Sequence, residues 1–271
     1  MKIKLIAVDM DGTFLDDRKQ YDKARFMAQY QAMQARGIRF VVASGNQYYQ
    51  LISFFPELRD QIAFVAENGA LIYDGPERVR YSRLSRPDYL KVLAALAASC
   101  ADNYVICGLN SAWYSRQAPQ AFIDLMSRHY HRLQPTDNPQ EIDDTIFKFS
   151  LNLPDEDIPL LMRQLSHSLD GVMTPVTSGF GFVDLIIPGS HKGSGLQCLL
   201  DRWHISPQEC VAIGDSGNDV EMLKLVGYPV AMGNGAEAVK DVARFETLSN
   251  NHAGALRVID DVLNQRGLFA G

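Results

Sequence analysis

The chain has 271 residues, 46% of them hydrophobic, and a formal net charge of -6. Its length exceeds the roughly 100–150 residues of a common single domain, so one large or two modest domains with a substantial core are expected. The negative charge argues against nucleic-acid binding through bulk electrostatics, yet a local lysine and a metal can still hold a small anionic substrate.

Residues 3–8 form an apolar run that predicts a buried strand ending at Asp9-Met10-Asp11-Gly12-Thr13. Helical spacing of Phe26, Met27, Tyr30 and Met33 predicts a helix over 22–36, closed by Gly37. A β-branched strand over 39–43 runs into Ser44-Gly45-Asn46, and a helix over 47–54 follows. Residues 64–66 read as a third strand that ends at Glu67-Asn68-Gly69. Strand and helix alternate here as in a parallel sheet with right-handed crossovers. Residues 71–85 break into short strand-like pieces around a Gly75-Pro76 turn. The next block mixes a helix over 87–98, strands at 104–108 and 112–115, a helix over 122–130, a strand over 147–153, a helix over 159–169 and a strand over 182–187. No strand in this block ends in a carboxylate, so it reads as an α+β insertion. After Lys192 the doubly wound pattern returns, with helices at 195–203, 219–226, 236–243 and 254–263 and strands at 211–213 and 228–232. Candidate site segments flank the insertion on both sides. The expected division is therefore a discontinuous core, 1–83 with 188–271, and an inserted domain over 84–187. The fold class is α/β, with a Rossmann-like doubly wound core.

None of the cysteines Cys100, Cys107, Cys198 and Cys210 forms a CxxC pair, so they read as buried thiols of a reducing compartment. No segment approaches the roughly 20 apolar residues of a membrane helix, and no leader-like stretch precedes the first strand. A soluble, cytoplasmic protein with no nucleic-acid or membrane partner, monomeric by default, is expected.

Four segments carry chemistry. Asp9 and Asp11 sit at the carboxyl end of a strand, where open α/β sheets build their sites. A close acidic pair can hold a hard cation or divide the roles of nucleophile and proton carrier. Ser44 and Gly45 end a second strand and offer a hydroxyl and an N–H to a phosphoryl oxygen. Lys192 is an isolated cation before an apolar helix. Gly214-Asp215-Ser216-Gly217-Asn218-Asp219 ends another strand with acidic and amide groups suited to a metal. Asp219 alternatively caps the helix that follows it, and Thr13 is read as tying its turn. Among Tyr48, Tyr49, Phe54 and Phe55, helical spacing favours core packing over a substrate mouth. Ser178-Gly179-Phe180-Gly181 reads either as a sugar contact or as a plain hairpin turn. His129 and His131 lie in a polar stretch expected to be exposed, and the histidines show no zinc-ligand spacing.

These four segments in this order, with Glu67-Asn68-Gly69-Ala70 and Ala231-Met232-Gly233-Asn234, resemble the Cof-type branch of the haloacid dehalogenase superfamily across essentially the whole chain. Several segments, among them 43–50 and 176–182, resemble its bacterial sugar phosphatases. Asn46 departs from the arginine that commonly follows this glycine. The resemblance implies a C2B-type α+β cap over the core site. It also implies a Mg²⁺-dependent phosphatase acting on small hexose and pentose phosphates through an aspartyl-phosphate. On that pattern Asp9 is the nucleophile, and Asp11 protonates the leaving alcohol and later activates water. Mg²⁺ is held by the Asp9 side chain, the Asp11 backbone carbonyl and Asp215, with Asp219 behind them ordering a bound water or Lys192. Ser44, Gly45, Lys192 and the Met10 backbone contact the phosphoryl group, with Asn218 beside it. A phosphotransferase or mutase using the same intermediate is the alternative enzyme. A phosphometabolite-binding module without turnover is the alternative outside enzymes, and the intact Asp9, Asp11, Lys192 and Asp215 set argues against it.

Overall fold

The computed structural model describes residues 2–99, 103–179 and 181–270. Two sheets organise it. The first collects strands β1 (Leu5–Val8), β2 (Arg39–Ala43), β3 (Ala63–Ala66), β4 (Leu71–Asp74) and β5 (Glu77–Tyr81) from the early chain. The second holds β6 (Tyr104–Gly108), β7 (Ala112–Ser115), β8 (Leu133–Thr136), β9 (Ile146–Asn152), β10 (Thr174–Gly179) and β11 (Phe182–Ile186). Strands β12 (Cys210–Gly214), β13 (Tyr228–Ala231) and β14 (Phe245–Glu246) then return to the first sheet. The helices are α1 (Lys23–Ala35), α2 (Tyr48–Phe54), α3 (Arg86–Ala98), α4 (Gln120–His129), α5 (Ile158–Ser168), α6 (Lys192–Trp203), α7 (Val220–Leu225), α8 (Glu237–Lys240) and α9 (Gly254–Leu263).

The first sheet runs β14-β13-β12-β1-β2-β3-β4-β5. Its strands are parallel from β14 to β3, and β4 and β5 extend it antiparallel. The chain starts at the middle strand, winds outward through β2 and β3, and comes back on the other side of β1. This reversal leaves a crevice at the carboxyl ends of β1, β2 and β12, the place where such sheets bind ligands.

Both faces of the sheet are covered, which is why its central strands are apolar almost without interruption. Ile6, Val8, Phe40, Val42 and Phe64 pack with Phe26, Tyr30 and Met33 of α1 and Leu256 and Ile259 of α9. Leu5, Ala7, Val41, Ala43 and Val65 face Leu196, Leu199 and Leu200 of α6 and Met222 and Leu223 of α7. The two-residue period sends neighbouring side chains to opposite layers.

The second sheet runs β10-β11-β9-β6-β7-β8 and is antiparallel except between β7 and β8. Ile106, Phe149, Leu151 and Leu185 pack on one face against Tyr89, Val92 and Leu96 of α3 and Leu161 and Leu165 of α5. The other face carries Lys148, Ser150 and Asp184 and approaches the first sheet's crevice.

Element boundaries follow the sequence with informative exceptions. Strands β8, β10 and β14 have no counterpart in the periodicity. Lys192 is the first residue of α6, not a loop residue ahead of it, because His191 caps that helix by accepting from Ser194 N. Helix α8 is shorter than the expected 236–243; the backbone continues as turns, with Ala243 N donating to Val239 O at 3.0 Å. Cys107 and Cys210 are buried as expected, Cys198 is only half-buried, and Cys100 lies outside the described residues. Among the described residues no helix is long and apolar enough to cross a membrane.

Candidate active site

Strand β1 delivers Asp9 to the crevice, with its N–H donating to Ile213 O of β12 at 3.0 Å. The chain then turns sharply through Gly12, whose φ is +75°. A Cβ at Gly12 would stand 2.5 Å from Asp215 Oδ2, so glycine serves both the left-handed backbone and the close approach of that carboxylate. Thr13 Oγ1 donates to Asp215 Oδ1 at 2.6 Å, so the threonine ties its turn to a candidate metal ligand on another strand.

Lys192 reaches from the start of α6 into the same place. Its Nζ lies 2.6 Å from Asp9 Oδ1 and 2.6 Å from Asp219 Oδ1, and it is fully buried. Asp219 turns its other oxygen back to the loop and accepts from Asp215 N at 2.9 Å and Ser216 N at 3.0 Å. It makes no side-chain cap bond to α7 itself, but it completes a capping box with Ser216 around the Gly217–Asp219 turn that leads into that helix, while its other oxygen holds the lysine. Gly214 is required beside it, since a Cβ there would meet the Asp219 carboxyl carbon at 2.5 Å.

Asp9, Asp215 and Asp219 each present one oxygen within 4.8 Å of the others. Three carboxylates around one ammonium leave an excess of negative charge in a dry site. Burial, then the neighbouring Asp219, push Asp9 well above the ordinary carboxylate value, and Lys192 only partly opposes them. Burial and Asp219 likewise push Asp215 up to about 6. Burial would lower the Lys192 pKa, but Asp219 and Asp9 outweigh it and the ammonium is held firmly charged. A hard cation with oxygen ligands relieves this charge excess, so the donor set fits one.

The Asp11 carboxylate lies apart from that cluster. Asn46 Nδ2 donates to Asp11 Oδ2 at 2.6 Å, and Lys19 Nζ stands 2.5 Å from Oδ1. Burial opposes ionisation of Asp11, yet Lys19 and Asn46 together hold its pKa below the ordinary value. The residue that replaces the common arginine therefore grips the proposed acid. Ser44 is buried at the end of β2, and its Oγ accepts from Asn46 N at 3.1 Å.

A cavity of about 660 Å³ brings together Asp9, Asp11, Ser44, Gly45, Asn46 and Asn218. The second sheet closes over it with residues that sequence reasoning missed. Lys148 of β9, 1% exposed, donates to Gly45 O at 2.5 Å and pairs with Glu67 at 2.7 Å. Asp184 of β11 accepts from Asn68 Nδ2 at 2.6 Å, and Asn68 Oδ1 accepts from Asn218 Nδ2 at 2.8 Å. Glu67 and Asn68 hold φ of 52° and 55° in this seam. Their signal lay in the 67–70 block, which carried the resemblance but no role.

The aromatic group divides. Phe55 is core, and Tyr48 stacks on Tyr73 at 3.9 Å, whereas Phe54 lines the cavity. His129, expected in an exposed stretch, is half-buried at the cavity wall, and His131 is exposed. Strands β10 and β11 pair antiparallel, and Phe180 lies outside the described residues.

A family model for haloacid dehalogenase-like hydrolases matches residues 6–259. The chain is 48% identical to the 5-amino-6-(5-phospho-D-ribitylamino)uracil phosphatase YbjI of Escherichia coli, over 99% of both chains. It is 25% identical to YitU of Bacillus subtilis, a phosphatase of the same name, over 95% of this chain and 96% of that one. A crystal structure from Streptococcus mutans matches with a TM-score of 0.92 at 34% identity, covering 97% of this chain and 100% of that one.

Proposed function

The chain belongs to the haloacid dehalogenase-like hydrolases, as a phosphatase, and on that premise we propose that it hydrolyses small phosphorylated polyols and sugars through an aspartyl-phosphate on Asp9, with Mg²⁺. The observation that carries this reading is Asp9 itself, a buried carboxylate held between Lys192 and the Asp215–Asp219 pair at the wall of a substrate-sized cavity.

Asp9 attacks phosphorus as the bond to the leaving oxygen breaks, and Asp11 gives that oxygen a proton. Water, deprotonated by Asp11, then attacks the acyl-phosphate and frees inorganic phosphate and Asp9. Lys192, Ser44, the Gly45 N–H and the Met10 backbone offer positive charge and donors to the phosphoryl oxygens. Asn218, bonded to Ser216 and Asn68, stands beside them. Asp9, Asp215 and the Asp11 backbone carbonyl hold the metal, with Asp219 fixing Lys192 and the loop. When bound, Mg²⁺ neutralises charge on the nucleophile and the phosphoryl group. The division into a core of 1–83 with 188–271 and a cap of 84–187 belongs to the same reading: the cap sheet closes the site with Lys148, Ser150 and Asp184.

Hexose and pentose phosphates are one substrate group. A phosphoribitylaminouracil is the second, favoured by the 48% identity to YbjI along the full chain. Transfer to a sugar acceptor in place of water is the alternative outcome of the same intermediate.

The test is phosphate release from a panel of these esters, with Mg²⁺ and with EDTA, for the wild type and Asp9→Asn. Metal-dependent release that Asp9→Asn abolishes while keeping a wild-type circular-dichroism spectrum is expected. Near wild-type turnover in a folded Asp9→Asn protein overturns the assignment.

A further inference from the structure

The cavity that reaches Asp9 also contains an aromatic end that phosphoryl transfer does not use. Phe182 lies directly opposite Asn152, Asp184 opposite Ser150 and Ile186 opposite Lys148 on the antiparallel strands β11 and β9. Directly opposed residues share a sheet face, so Phe182 projects from the same face as Lys148, Ser150 and Asp184. Lys148 bonds to Gly45 O, which sets this face over the phosphoryl end. Phe182 is thus an aromatic ring on the face that carries Lys148, Ser150 and Asp184. It is only half-buried, whereas Asp184 and Ser150 beside it are almost fully enclosed.

His129, at the end of α4, meets Phe182 at a centroid distance of 5.1 Å and an interplanar angle of 64°. Leu125 and Phe54 line the same cavity. Burial keeps the His129 pKa below its ordinary value, although Asp11 opposes this, so the imidazole is a mostly uncharged wall near neutral pH. The cavity volume of about 660 Å³ falls within the roughly 300–1,000 Å³ of pockets that enclose drug-sized ligands. A bare pentose phosphate leaves much of it filled by water against apolar rings.

We propose that Phe182 and His129 form a stacking shelf for a planar ring carried by the leaving alcohol, so that the site prefers phosphate esters of ring-bearing polyols to plain polyol phosphates. This rests on the phosphatase reading of the Asp9 site. The polar wall of Lys148, Ser150 and Asp184 stands along the polyol, and the ring covers Phe182. Stacking on an aromatic side chain suits any flat heterocycle, and removing such a side chain costs about tenfold or more in affinity.

The experiment compares kcat/KM for 5-amino-6-(5-phospho-D-ribitylamino)uracil and for ribitol 5-phosphate, which share the polyol and differ by the ring. The full-length protein is assayed with Mg²⁺ as wild type, Phe182→Leu and Phe182→Tyr. The wild type should prefer the ring-bearing ester. Phe182→Leu, apolar but not planar, should lower the ratio of the two constants about tenfold, and Phe182→Tyr should keep it. An unchanged ratio in Phe182→Leu, or a wild type that prefers ribitol 5-phosphate, overturns the shelf while leaving the phosphatase reading intact. A wild type that hydrolyses neither ester but does hydrolyse hexose or pentose phosphates overturns the shelf alone, and one that hydrolyses none of them overturns both.

Discussion

Asp9 and Asp11 are two residues apart yet live in opposite electrostatic surroundings. Asp9 shares a dry pocket with two further carboxylates, and burial drives its pKa up. Asp11 is turned toward Lys19 and Asn46, which outweigh burial and hold it ionised. These directions belong to the metal-free site and run opposite to the proposed roles, since Asp9 attacks as a carboxylate and Asp11 must bring a proton to the leaving oxygen; a bound divalent cation would restore the Asp9 carboxylate. Removing the Lys19 cation disfavours the Asp11 carboxylate, so its pKa must rise. In Lys19→Met, the alkaline limb of the kcat/KM–pH profile, where an acid that must carry its proton is lost, should therefore move to higher pH, and an identical profile would show that Lys19 does not govern Asp11. At this scale the sequence was legible where a carboxylate follows an apolar strand. Asp219 was expected beside Lys192 through the family resemblance and is found there, but no local pattern calls for a contact that joins positions 27 apart. Nor was the sequence legible for Asn46, which looked like a lost arginine contact and is instead bonded to Asp11.

The strands that sequence periodicity missed share one property. β8, β10 and β14 are all edge strands in their sheets. An edge strand is packed on fewer sides, so it needs little apolar alternation and tolerates proline, as with Pro135 in β8 and Pro175 in β10. The central strands, buried on both faces, were found almost residue for residue. A second limit shows in β9, where Lys148, Ser150 and Asn152 alternate with Phe149 and Leu151. Period-two alternation identifies a polar face but not what the face meets. Here Lys148 meets Gly45 and Glu67, which follow β2 and β3 of the other sheet, and is buried with Glu67. Lys148→Met should therefore strand the Glu67 carboxylate and destabilise the protein by about 3–5 kcal/mol in denaturant unfolding, the range for a broken buried pair. A loss within a few tenths of a kcal/mol would mean that water reaches the seam.

Across the whole molecule, the site concentrates negative charge that the fold alone does not neutralise. Asp215 titrates at about 6 against an ordinary 3.8, and Asp9 is raised as well. A carboxylate raised on folding contributes stability that is complete below its unfolded value and is lost as pH rises through its folded value. For the metal-free protein, this contribution fades between about pH 4 and pH 6. A divalent cation replaces the missing protons, so the Tm gain from Mg²⁺ should be larger at ~pH 7.5 than at ~pH 5. Equal gains at both, or none at either, would place the cation elsewhere. The carboxylate-ended strands lie on both sides of residues 84–187 in the sequence, and β12–β14 do return to the sheet of β1–β5. The aromatic end of the cavity stayed hidden, because Phe54, Leu125, His129 and Phe182 converge only once both sheets are in place.

The most direct measurement is acid quenching during turnover of a sugar phosphate or phosphoribitylaminouracil, followed by peptide mass spectrometry. A phosphoryl adduct is expected on the peptide that carries Asp9, absent in Asp9→Asn and, with an activated aryl phosphate whose leaving group needs no proton, accumulating when water attack is slowed in Asp11→Asn. Steady turnover with no adduct at any quench time in either wild type or Asp11→Asn, or an adduct on a different residue, would contradict it.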